Sequence, residues 1–116
     1  MTDINSVDHL FKGKAPELRT TFEHLINELQ QFGEIRVTPK QTSIHLEKKG
    51  GFAGVHPRKT CLNLEFRVDY QIDDPRISRM QQLSAHRFEH TVKLEHTRDV
   101  DAQLLKWLKD AYALSK

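Results

Sequence analysis

The chain has 116 residues, of which 37% are hydrophobic and 29% charged, with a formal net charge of +2; this suffices for one core, not two, and no apolar run approaches the roughly 20 residues that cross a bilayer. Cys61 is the only cysteine, which excludes an intrachain disulfide and any paired-cysteine zinc or redox motif. Met1-Thr2-Asp3-Ile4-Asn5 lacks the basic and apolar segments of a signal peptide, so a single water-soluble domain spanning 1–116 in the cytoplasm is expected.

Asn5 or Ser6 can cap a short helix with Val7, Leu10 and Phe11 on its apolar side and Gly13 as its stop. Pro16 suits a helix first turn. Leu18, Phe22, Leu25, Ile26, Leu29 and Phe32 then recur at helical spacing, which predicts a helix over 16–32 with Gly33 ending it. The period next changes to two. Ile35 and Val37 form a short strand ended by Pro39, and residues 42–48 set Ile44 and Leu46 against Ser43, His45 and Glu47. Gly50-Gly51 is a hairpin connection, with residues 52–55 returning antiparallel. Residues 61–68 alternate most clearly: Leu62, Leu64, Phe66 and Val68 face inward, while Asn63, Glu65 and Arg67 face out.

After a break at 69–74, Asp73 or Asp74 before Pro75 reads as an N-cap and first-turn proline, predicting a helix to about Gln82 with Ile77, Met80 and Leu83 inward. Phe88, His90, Val92 and Leu94 alternate as a further strand. Asp99 or Asp101 caps a last helix, with Leu104, Leu105, Leu108, Ala111 and Tyr112 on its core face and Trp107 at the border. The expected fold is α+β: a five-stranded, mostly antiparallel sheet with the N- and C-terminal helices packed on one face.

Charge is unevenly spread. Residues 35–93 carry 11 Lys/Arg against 6 Asp/Glu, and the ends carry 7 against 10. A basic middle suits an anionic partner, although charged stretches also serve simply as solvated faces. In the proposed pairing, Lys40, Arg58 and Lys59 share one end of the sheet, where Arg58 can grip phosphate or carboxylate in a bidentate manner; Lys48 and Lys49 lie at the other end. Arg76 occupies a predicted helix N-terminus. There it either pairs with Asp73 and Asp74 or points to an anion bound at that helix end.

His90 shares a strand face with apolar residues, so it is either a hydrogen-bonded core side chain or, at a pocket edge, a ligand-binding or general-base group. His86 and His90 are about 13 Å apart on a strand, too far for one zinc ion. Neither a Walker loop nor a dinucleotide fingerprint occurs, so no cofactor is implied. The outward polar positions lack aromatics, which argues against a base-stacking RNA platform.

Several stretches together resemble a family of small bacterial domains, domain of unknown function 5655. They are Val37-x-Pro39-Lys40-x-Thr42-x-Ile44, Phe52-Ala53-x-Val55-x-Pro57-Arg58-Lys59, Asp74-Pro75-Arg76, His90-x-Val92-x-Leu94 and Trp107-Leu108-x-x-Ala111-Tyr112. The resemblance spans nearly the whole chain. It implies no established activity; fusion of similar domains to nuclease-like ones implies a nucleic-acid context. The residues and the resemblance leave three readings: a module binding an anionic partner (nucleic acid or a phosphorylated ligand) through Lys40, Arg58, Lys59, Arg76 and His90; a small enzyme centred on His90; or a protein-interaction domain using a sheet edge or the Trp107 surface.

Overall fold

A computed structural model describes residues 7–115; the predicted caps Asn5 and Ser6 lie outside them. A short helix α1 (Asp8–Phe11) leads into α2 (Pro16–Leu29). Six strands follow: β1 (Arg36–Pro39), β2 (Ile44–Glu47), β3 (Gly51–Pro57), β4 (Leu62–Val68), β5 (Ile77–Ser84) and β6 (Arg87–Leu94). A 3₁₀ turn (Thr97–Asp99) precedes the last helix, α3 (Ala102–Leu114). The sheet is antiparallel throughout, in the order β1-β2-β3-β4-β6-β5.

The inward residues of the alternating strands and the apolar stripes of α2 and α3 form one core. It includes Leu18, Phe22, Leu25, Leu29, Leu64, Phe66, Leu104 and Leu108, all buried. The opposite sheet face is wet. Helix α2 stops at Leu29, three residues before the predicted end, and Gly33 (φ +151°) redirects the chain. A Cβ there would lie 2.6 Å from the Tyr112 hydroxyl, which itself donates to the Glu34 carbonyl. The glycine is therefore required both by its conformation and by the close approach of α3.

Asp101, one of the two anticipated caps, accepts the Leu104 N–H at 2.9 Å and starts α3. Asp99 instead holds the preceding turn by accepting from the Glu95 and His96 amides. Trp107 is not at a border: it is buried, its ring stacked 6.1 Å from that of Phe66.

Residues 75–82, expected to be a helix, are instead a turn at Pro75 and Arg76 followed by most of a sixth strand, β5. Asp74 does supply N-cap-like chemistry, accepting the Arg76 N–H on its side chain and the Ile77 N–H on its carbonyl, but these bonds close a turn. β5 then pairs with the otherwise open edge of β6. The helical spacing of Ile77, Met80 and Leu83 has a different origin: the β5–β6 register is irregular at Ile77/Arg79 and Gln82/Ser84, and Met80 and Leu83 remain exposed. Cross-strand pairing overrode a short local pattern that helix and strand could both satisfy.

Candidate functional site

The order β4-β6-β5 obliges the chain to leave β4, pass over β6 and enter β5, and residues 69–76 make that crossing between β6 and α3. Three polar contacts pin it. Tyr70 Oη donates to Asp110 at 2.6 Å, the Ile72 N–H donates to His90 Nε2 at 3.0 Å, and Arg76 grips both carboxylate oxygens of Asp101 at 2.9 and 3.0 Å while donating to the Asp99 carbonyl at 2.6 Å. Burial and the neighbouring Asp110 push the Tyr70 phenol well above its usual range, so it remains a donor.

Two expected ligand residues are thereby committed to the fold. His90 is fully buried, stacked 5.6 Å from Phe66, and borders neither of the two crevices described below. Because Nε2 accepts, the proton resides on Nδ1, which makes no well-aligned hydrogen bond but faces the Phe88 carbonyl. Burial holds the imidazole below its ordinary pKa, and so neutral. Arg76 does not open a helix of its own, and its ion partner is Asp101, the N-cap of α3, rather than Asp73 or Asp74.

Lys40, Arg58 and Lys59 are brought to one end of the sheet. The register pairs Pro39 with Ile44, Ile44 with Val55 and Pro57 with Leu62, so the turns 40–43 and 58–61 lie side by side beyond the same strand ends. Backbone bonds close both turns, and the Lys59 carbonyl accepts the Ala15 N–H, which ties its turn to the entry of α2. All three side chains are exposed. Lys48 is at the opposite end, its ammonium 4.6 Å from the centre of the Tyr112 ring.

Arg58 also borders a crevice of about 340 Å³ on the outer sheet face, with His56, Asn63, Glu65, Ser78, Arg79, Thr91 and Lys93. Its single carboxylate, Glu65, lies 2.7 Å from His56 Nε2. Arg58, Arg79 and Lys93 have no carboxylate partner among the described residues. Lys93 was legible as an outward position of an alternating strand. Arg79 was not, because its segment reads as a helix; only strand pairing sets it opposite Thr91.

This arrangement defines a class, an α+β domain with helices on one face of an antiparallel sheet and a polar, cation-rich opposite face. The family model for a domain of unknown function, DUF5655, matches residues 7–115, and the chain belongs to that family. No curated protein and no solved structure matches it. No helix among the described residues is long and apolar enough to cross a membrane.

Proposed function

We propose that the chain is a single binding module for an anionic partner, recognising phosphate groups of nucleic acid or of a phosphorylated ligand on its outer sheet face. One observation carries this reading: Arg58, Arg79 and Lys93 converge on one crevice whose only carboxylate already has a histidine partner. Unpaired guanidinium and ammonium groups are strong phosphate donors, and Arg58 links the crevice to Lys40 and Lys59 on the adjoining turns. Arg76 and His90 support the scaffold and are left out of the contact set. With no Phe, Tyr or Trp in the crevice lining, and with its one imidazole, His56, held by Glu65, contact is to the phosphate backbone rather than to stacked bases.

The test is fluorescence anisotropy with single- and double-stranded oligonucleotides at two salt concentrations. Three phosphate contacts give a logarithmic salt slope of about −2 to −3. Arg58→Glu with Lys93→Glu should abolish binding while leaving thermal melting intact. Absence of binding at low salt rejects the nucleic-acid form, and binding unchanged by the two substitutions rejects the site.

A further inference from the structure

A second crevice, of about 330 Å³, opens at the end of the sheet away from the Lys40 and Arg58 turns. Two register irregularities build it. At Leu46/Glu47 the β2–β3 ladder skips Phe52, so Phe52 and Ala53 both turn to the buried side, and the Phe52 ring packs edge-on against Tyr112 at 5.4 Å. At Gln82/Ser84 the β5–β6 ladder skips Leu83, leaving this residue 45% exposed at the crevice. Ala111 and Leu114 from the end of α3 complete an apolar wall. α3 is fixed there by Ser115, whose hydroxyl donates to the Gly50 carbonyl and accepts the Gly50 N–H.

Arg67 and Arg87 line the same space. Neither has a carboxylate partner among the described residues: Arg67 reaches the Gly51 carbonyl at only 3.5 Å, Arg87 donates to the His86 carbonyl at 2.8 Å, and Glu89, the cross-strand neighbour of Arg67, forms no ion pair with it. Bulges that re-aim side chains into a concavity are a recurrent way of building sites, and an apolar pocket with a few convergent polar groups is the usual form of a small-molecule site. The carbonyl end of α3 opposes an anion only weakly against two guanidinium groups.

We propose that this crevice binds a small amphipathic anion, a phosphate or carboxylate carrying a short apolar tail, with Arg67 and Arg87 holding the charged head and Phe52, Leu83, Ala111 and Leu114 the tail. It is separate from the outer-face crevice and does not depend on that reading. The experiment is a titration of the full chain with hexyl phosphate, followed by amide chemical shifts. Inorganic phosphate, hexanol and hexyltrimethylammonium serve as probes lacking one feature each or carrying the opposite charge. Shifts are expected at Gly51, Ser84, Arg87 and Ser115, with hexyl phosphate binding at least about tenfold tighter than any of the three controls.

Arg87→Gln and Leu83→Ser, both at positions outside the core, should each weaken binding about fivefold or more, since one removes a charge-assisted donor and the other apolar contact. The proposal is overturned if hexyl phosphate causes no saturable shift at these amides or shifts only Asn63 and Lys93, which report the outer crevice. It is equally overturned if a control binds as tightly or if both variants bind like the parent chain.

Discussion

His90 offers a direct measure of how the crossing segment is held. Replacing it by Leu keeps an apolar side chain beside Phe66 but leaves the Ile72 N–H without the acceptor it has at 3.0 Å. A donor left unsatisfied in a partly buried position costs about 1–3 kcal/mol. In His90→Gln the amide oxygen can occupy the place of Nε2, so the bond to Ile72 survives and the ability to titrate is lost. At pH 7.5, urea unfolding should therefore show His90→Leu less stable than His90→Gln by about 1–2 kcal/mol.

The two variants share a second signature. His90 is held neutral by burial in the folded chain, with its pKa lowered, whereas in the unfolded chain it titrates near about 6.5. As pH falls through that value the unfolded state takes up a proton that the folded state refuses, so stability declines until the folded pKa is also passed. One such group removes at most about 1.4 kcal/mol between pH 7.5 and 5.5. The other histidines are common to all three proteins, so the parent chain should lose more stability over this interval than either variant, by up to that amount. Equal stability of the Leu and Gln variants at pH 7.5 would refute the Ile72 bond, and an unchanged pH dependence in both would refute the buried neutral imidazole.

Arg76→Ala should destabilise the fold by about 1 kcal/mol, the half-exposed partner keeping the value modest. It should also reduce the stability lost below pH 4, because Arg76 is among the groups that depress the Asp101 pKa against its desolvation; anion binding should survive, measured by the same anisotropy titration. Gly33→Ala should cost about 1–3 kcal/mol in thermal or urea unfolding, from the backbone conformation and the encounter with the Tyr112 hydroxyl, and pairing it with Tyr112→Phe should restore only the part due to that encounter.

Much of the architecture was local information. The stripe from Leu18 to Leu29 specifies a helix, and the alternation from Leu62 to Val68 specifies a strand with one wet face, because each pattern is long enough to match only one period. The two basic turns followed from strand order within successive hairpins, which connects neighbours in sequence. Residues 77–84 carried no such decisive period. Their identity as a strand depends on β6, which enters the sheet only later in the chain, and on the crossing segment that His90, Asp101 and Asp110 retain.

The sequence by itself determined the helices, most of the strands and the basic character of the middle of the chain, since these rest on periodicity and composition. Tertiary structure alone decided which cations are free. Arg76 and Arg79 are three residues apart and chemically alike, yet the first is spent on Asp101 and the second opens into the outer crevice. No spacing rule distinguishes them, because an arginine is available to a partner only when the fold brings it no carboxylate of its own.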